Sequence, residues 1–499
     1  MPQKDPIKVY DARWEMDEFS DDDVRRLFEA ALTYGRDLGA DTVTLARDGR
    51  LGAAHVMELA AEAATRMGFR LFVCPEPIST PQSYFATLSV SREHPSTMGL
   101  TITASHNPKQ YVGVKFTVPV VQAIGLDCGP QGGLTRIRQI YHSSQKFPGR
   151  SGGQRHLLDV GREYADFSMA QAGIGPQDLS GLSVVLDAFN GSAGPELLAA
   201  LERAGVRVAP LHLIPDGRFL NGLPNPTSRG KMACAVELAG RQDCSAVIGV
   251  DGDGDRIVFG DRRGILNAGF AAIPVLRACG RDDQSGQSRL VLYDPKVNPP
   301  ALLEWRKLDI QPVLFRNGHS QIKDHMQRIG ALAAVEESGH YYHKITMGDL
   351  AVSCENSLMT ILLFLGAFKN QPTLLDDLWR LQEQVATTGE FNYRFDDNEI
   401  RDRALGAVVD CLADDGAAVV THSSDGIDLE GTLLSKGVVL NDDVVTLTPG
   451  WYRGYLRVAT TESGVLRSYF SADKEQDATR LEKQTRHILD NQFGGTAVD

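Results

Sequence analysis

No Cys-x-x-Cys pair occurs in this 499-residue chain, whose seven cysteines (Cys74, Cys128, Cys234, Cys244, Cys279, Cys354 and Cys411) are scattered and odd in number. Zinc and dithiol redox motifs are thereby excluded, and buried thiols in a reducing cytosol are expected. Long hydrophobic runs are missing too. The longest, Leu358 to Phe368, is interrupted by Thr360 and Gly366, is too short to span a bilayer, and reads as a core helix. The opening residues carry no apolar leader core, so a cytoplasmic protein without a membrane partner is expected. Excess positive charge is absent as well. A formal charge of −13 argues against nucleic acid as the main partner, because phosphate backbones require clustered Lys and Arg. It leaves room for a local basic site on a small anionic substrate, made of particular Arg, Lys and His side chains. Low-complexity segments and residue-level repeats are not found.

What is present is ordinary globular composition, 42% hydrophobic and 23% charged, in a chain too long for one hydrophobic core. From Val24 to Leu38 apolar residues recur at helical spacing behind Ser20 and Asp23, which resemble a capping start. A strand over Thr42 to Leu45, a helix ending at Gly68 and a strand over Phe69 to Cys74 follow, an α/β alternation. It restarts near residue 165 with Ser183 to Leu186, and again with Arg289 to Tyr293. The hydrophilic stretch Gln382 to Glu390 reads as a linker, and after it short strands surround one or two helices. The expected fold is three successive α/β domains with mixed sheets plus a C-terminal α+β domain, divided as residues 1–165, 166–267, 268–385 and 386–499.

Several stretches carry chemistry. Thr103-Ala104-Ser105-His106-Asn107-Pro108 follows an apolar strand and reads either as an ordinary turn or as the seat of a nucleophilic or phosphate-carrying serine. Asp251-Gly252-Asp253-Gly254-Asp255-Arg256 lies between two apolar strands. Three carboxylates crowded there repel one another, and a hard divalent cation relieves that repulsion. The loop is no EF-hand, since Arg256 and Arg262 stand where that motif needs Gly and Glu. Glu336-Glu337-Ser338-Gly339-His340 closes a strand and suits either sugar hydroxyls or a helix cap. Arg316-Asn317-Gly318-His319-Ser320 opens a helix whose free N–H groups could meet an anion. Arg457, followed by Thr460, Thr461 and Ser463, reads either as a phosphate grip or as a polar hairpin turn.

Taken in order with Tyr10-Asp11-Ala12-Arg13 and Arg47-Asp48-Gly49-Arg50, these stretches resemble the α-D-phosphohexomutases over nearly the whole chain, especially the phosphomannomutase/phosphoglucomutase branch. The resemblance implies four domains around a central cleft. It makes Ser105 the phosphoryl carrier, and Asp251, Asp253, Asp255 and an oxygen of the Ser105 phosphate the ligands of Mg²⁺. It matches Lys115 to proton transfer, with Arg13 and His340 assisting. Arg256, Lys296, His319, Glu336 and Ser338 match substrate contacts, and Arg457, Thr460 and Thr461 match the loop on the phosphate not being transferred. The implied reaction interconverts hexose 6-phosphate and hexose 1-phosphate through a hexose 1,6-bisphosphate intermediate that also serves as activator. Small hexose phosphates are the implied partners, and a monomer or homodimer is expected. Phosphoglucosamine mutase is the nearest alternative. A non-catalytic phosphosugar-binding relative is another, motivated by Trp14 in place of the family's glycine and by the altered loop at Val458, Ala459 and Thr460. Val335 and Phe189 are further departures, each standing where the family prefers glycine.

Overall fold

The computed structural model describes residues 4–279, 289–440, 445–459 and 463–498. They form two compact units, one of residues 1–265, 318–333 and 338–372, the other of residues 266–317, 334–337 and 373–499.

The first unit begins with a seven-stranded mixed sheet. Its middle strand, Thr42–Arg47, is rich in β-branched residues and buried along most of its length, as a strand covered on both faces must be. It pairs in parallel with Arg70–Pro77 and Thr97–Ile102, and the last of these pairs antiparallel with Tyr111–Val118. The helix Asp21–Asp37 starts at Ser20, whose side chain accepts from the Asp23 amide while the Asp23 carboxylate reaches back. Three acids in the first turn complement the positive end of the helix, and Val24, Leu27, Phe28, Ala31 and Leu32 form its buried stripe.

Trp14 lies within the strand Ala12–Glu15, extended and nearly buried, opposite Val112 on Tyr111–Val118. No left-handed backbone is required at this position, so the bulky residue is accommodated and Arg13, pointing to the other face, is undisturbed. Opposite Arg13 stands Gly113, where a Cβ would come within 2.4 Å of the Ala12 carbonyl oxygen and 3.1 Å of the Arg13 side chain.

A second, five-stranded sheet in this unit runs Gly264–Ile265, Ile257–Asp261, Ala246–Val250, Ser183–Asp187, Arg207–Leu211. Ala246–Val250 and Ile257–Asp261 pair antiparallel, with Val250 opposite Ile257, so the acidic loop is the turn of a buried hairpin. Phe189, just beyond Ser183–Asp187, has φ 47°, a left-handed value unfavourable for an aromatic residue. Its ring is nevertheless buried and stacks on His212, 6.5 Å between centroids. Emptying a buried aromatic site costs about 3–5 kcal/mol, whereas relieving one left-handed residue returns about 1–2 kcal/mol. Phe189→Gly is therefore expected to lower stability by about 2 kcal/mol, read from urea unfolding.

Leu358 to Phe368 lies within the helix Ser357–Asn370, capped by the Asn356 side chain and buried over most of its length, with Phe364 stacked 4.1 Å from Phe259. Among the described residues no single helix is long and apolar enough to cross a membrane.

The carboxyl group of Glu196, on the helix Gly194–Arg203, accepts from Ser79 Oγ at 2.6 Å, while its Oε2 is buried without a hydrogen-bond partner among the described residues. Burial pushes this acid up to about 8 against the pull of Ser79. A group raised in the folded state stabilises while it holds its proton, so stability should fall as pH rises from the ordinary glutamate value through about 8. Glu196→Gln is expected to flatten that part of a melting-temperature profile and to gain on the parent at alkaline pH.

The second unit contains the parallel pair Arg289–Tyr293 and Ile310–Leu314 and a six-stranded antiparallel sheet in the order Ala418–His422, Asp428–Leu440, Val445–Val458, Val465–Ala472, Ala386–Arg394, Thr496–Val498. Helices Asn398–Asp414 and Glu475–His487 cover a core of Phe391, Leu434, Tyr452, Leu456, Leu466, Phe470 and Leu481. The stretch expected as a linker, Gln382 to Glu390, instead contains the start of the strand Ala386–Arg394. Its first half is largely exposed and only Phe391 and Tyr393 point into the core, which gives a strand too polar to be read as one.

Candidate active site

In the first unit the turn after Thr97–Ile102 places Ser105 against the acidic hairpin. Ser105 is buried, with φ 50°, a strained value of the kind that gathers at functional sites. Its Oγ donates to Asp251 Oδ2 at 3.0 Å and lies 3.1 Å from His106 Nδ1. Burial, with the charges of Arg256 and Arg13, holds the His106 imidazole well below its usual value and hence neutral.

The three aspartates present carboxylate oxygens within 4.8 Å of one another, all buried. Asp251 Oδ1 accepts the amides of Asp255 and Arg256, both at 3.1 Å. Gly254 closes the turn with φ 73°, and a Cβ there would come within 2.5 Å of the Ala193 side chain. Lys115, on Tyr111–Val118, donates to Asp253 Oδ2 at 2.8 Å and to Asp255 Oδ2 at 2.5 Å. Thr80 Oγ1 also donates to Asp253 Oδ2, at 2.7 Å, while Asp253 Oδ1 is buried with no hydrogen-bond partner among the described residues.

Charge follows this geometry. Burial opposes the Lys115 ammonium, but Asp253 and Asp255 outweigh it and hold the group well above the ordinary lysine value. At Asp251 the opposing charge of Arg256 is outweighed. Burial, reinforced by its two neighbours, pushes it up to about 8. An orphaned carboxylate oxygen, three hard oxygen donors and a serine hydroxyl beside them fit a small divalent cation.

Around this centre, His340 Nε2 lies 3.3 Å from Asp255 Oδ1, and its Nδ1 lies 2.8 Å from Ser338 Oγ. A backbone bridge between Arg256 and His340 joins the acidic loop to the Ser338–His340 segment. Arg13 grips Asp11 with Nε and Nη2 and donates from Nη1 to Asn107 Oδ1 at 2.7 Å. The same Asp11 lies 3.7 Å from His319 Nε2. Arg256 Nη1 reaches Asn225 at 3.5 Å.

The remaining predicted residues belong to the second unit. Glu336 Oε1 and Asp294 Oδ2 both accept from Asn317 Nδ2, at 3.1 and 2.6 Å. Arg457 Nη1 donates to Asn317 Oδ1 at 3.4 Å. Lys296 Nζ pairs with Glu390 at 3.1 Å, and Arg467 reaches the other Glu390 oxygen at 3.3 Å. Lys296 holds Glu390 down at about 2. Thr460 and Thr461 lie outside the described residues. Asp11, Asn317, Glu390 and Arg467 were not singled out in the sequence. Asp11 and Asn317 stood inside quoted motifs, and Glu390 inside the supposed linker.

Residues 5–125, 162–264 and 275–385 match in turn the α/β/α domains I, II and III of phosphoglucomutase/phosphomannomutase, and the chain belongs to this family of phosphohexomutases. It is 27% identical over 511 residues to a phosphomannomutase of Escherichia coli, covering 98% of this chain and 99% of that one. It is 27% identical over 492 residues to phosphohexose mutases of Xanthomonas campestris pv. campestris strain B100, covering 97% and 98%. The crystal structure of a phosphoglucomutase/phosphomannomutase family protein from Burkholderia thailandensis has the same fold, with a TM-score of 0.78 at 23% identity over 98% of each chain.

Proposed function

We propose that this protein is a Mg²⁺-dependent phosphomannomutase/phosphoglucomutase that interconverts hexose 6-phosphate and hexose 1-phosphate, with Ser105 as the phosphoryl carrier. The observation that carries the reading is the bond from Ser105 Oγ to Asp251 within a buried aspartate triad that Lys115 also joins. Asp251, Asp253, Asp255 and an oxygen of the Ser105 phosphate would hold Mg²⁺, which supplies neutralisation of the charge that builds on the phosphoryl oxygens during transfer.

In this reading the phosphoryl group passes from Ser105 to the free hydroxyl of the bound sugar phosphate, giving a hexose 1,6-bisphosphate. The bisphosphate turns end for end and returns its other phosphoryl group to the serine. Lys115, with Arg13 and His340 assisting, manages the proton exchanged between sugar hydroxyl and serine. Arg256 and His319 bind substrate. Glu336 and Ser338 are assigned to sugar hydroxyls, Lys296 to a further substrate contact, and Arg457, Thr460 and Thr461 to the phosphate not being transferred. The seven cysteines, none in a disulfide, agree with a cytoplasmic setting.

Turnover of mannose, glucose and glucosamine 1-phosphates, each with its bisphosphate activator, tests the sugar assignment. Mannose and glucose phosphates are expected to be preferred, and a preference for glucosamine phosphate would move the protein to the phosphoglucosamine mutases. Binding of all three without turnover would make it a phosphosugar-binding relative.

A further inference from the structure

The Arg47-Asp48-Gly49-Arg50 stretch has no part in the reaction described above, yet Arg50 is almost wholly buried, only 2% exposed, directly under the serine turn. A guanidinium has five N–H donors, and every one of them is directed at a local acceptor. Nε bonds Asp48 Oδ2 at 3.1 Å. Nη1 bonds the carbonyls of Pro108 at 2.9 Å and Tyr111 at 3.1 Å, and Nη2 those of Ser105 at 2.5 Å and Asn107 at 2.7 Å. Four carbonyls of one seven-residue stretch are thus gathered on a single side chain.

Asp48 completes the clamp from the other side. Its Oδ1 accepts the Arg50 amide at 3.0 Å, and its Oδ2 accepts Thr103 Oγ1 at 2.8 Å. Thr103 Oγ1 in turn receives the Ser105 amide at 2.9 Å. Ser105 is therefore held on both sides, its N–H through Thr103 and Asp48 and its C=O by Arg50, in the left-handed conformation that a free serine avoids.

A trans peptide points its N–H opposite to its C=O. With the Ser105 and Pro108 carbonyls turned to the guanidinium, the following amides, of His106 and Lys109, face away from it. Among the described residues neither amide donates a hydrogen bond to the protein. The two amides are not successive, since the Asn107 amide between them donates to the Ala104 carbonyl and Pro108 has none, but the His106 amide directly follows the left-handed Ser105.

We propose that Asp48 and Arg50 are the positioning pair for phosphoryl transfer at Ser105: by drawing the turn's carbonyls inward they fix the serine in its left-handed conformation and leave the adjacent His106 amide unused by the protein. The proposal rests on Ser105 being the phosphoryl carrier. In the step concerned, the Ser105 Oγ–P bond forms as the P–O bond to the sugar of a hexose 1,6-bisphosphate breaks, and the serine proton passes to the sugar oxygen.

The test is rapid-quench intact-mass measurement of transfer from glucose 1,6-bisphosphate, with Mg²⁺, onto the full-length dephosphorylated parent, Arg50→Lys, Asp48→Asn and Ser105→Ala proteins. Melting temperature and affinity for glucose 6-phosphate are measured on each. Arg50→Lys keeps the charge but has only three donors, and Asp48→Asn keeps the shape. Both are expected to slow labelling about a hundredfold, the scale of an ångström-level misplacement, with glucose 6-phosphate affinity within about threefold of the parent. Labelling within about threefold of the parent in a folded variant overturns the proposal. So does an equal loss of labelling and sugar affinity, or failure of both variants to fold, which would assign the pair to the fold alone. A parent that takes no label, or a Ser105→Ala protein that does, overturns the Ser105 reading itself.

Discussion

Ser105→Ala is expected to lower mutase activity by about a thousandfold or more while leaving the protein folded. The loss is this large because, in the proposed mechanism, the hydroxyl oxygen forms and breaks the bond to phosphorus, and the nearest hydroxyl along the turn is committed elsewhere. Thr103, two residues earlier, is committed to Asp48 and to the Ser105 amide. Folding should survive, since the bonds that shape the turn run through the Ser105 backbone and only the contacts to Asp251 and His106 use the side chain. The measurement is steady-state turnover of mannose 1-phosphate with bisphosphate activator, accompanied by intact mass, in which the parent carries a phosphoryl increment and the variant none. Full activity in the variant would remove the phosphoserine mechanism.

The second large effect concerns the cation. In the parent, Mg²⁺ at about 100 times its dissociation constant should stabilise the fold by about 2.7 kcal/mol, and chelation should remove both that gain and the activity. Asp253→Asn is expected to abolish the Mg²⁺-dependent shift in melting temperature. It replaces a carboxylate that has one buried, unpartnered oxygen and that is anchored through the other by Lys115 and Thr80. Ser105→Ala should retain most of the shift, because the triad is intact. That contrast separates loss of the metal from loss of the phosphoryl carrier, which an activity assay alone cannot do. An Asp253→Asn protein that still gains the parent's stability from Mg²⁺ would place the cation elsewhere.

What could be read from the sequence was what is contiguous. The serine turn and the acidic loop each fit within six residues, between apolar strands that announce themselves by their β-branched runs. The α/β alternation and the change to antiparallel strands were legible for the same reason. What could not be read depends on partners distant in the chain. Nothing near Arg50 announces that its acceptors lie at 105, 107, 108 and 111, and Glu390 meets Lys296 across 94 residues. Trp14 shows the opposite limit. A departure from the family's glycine suggested a disturbed backbone, and the residue instead continues a strand that has room for it.

The two units are woven from one thread, since the chain passes between them five times. Neither exists as a stretch that a ribosome could finish and release before starting the other. When residue 265 has been joined, the acidic hairpin is made, but the helix that stacks Phe364 on Phe259 has still to be translated. The Ser357 hydroxyl that will bond the Gly254 carbonyl is also missing at that stage. An emerging chain therefore holds its acidic loop without its final support for about a hundred further residues of synthesis, several seconds at ordinary elongation rates.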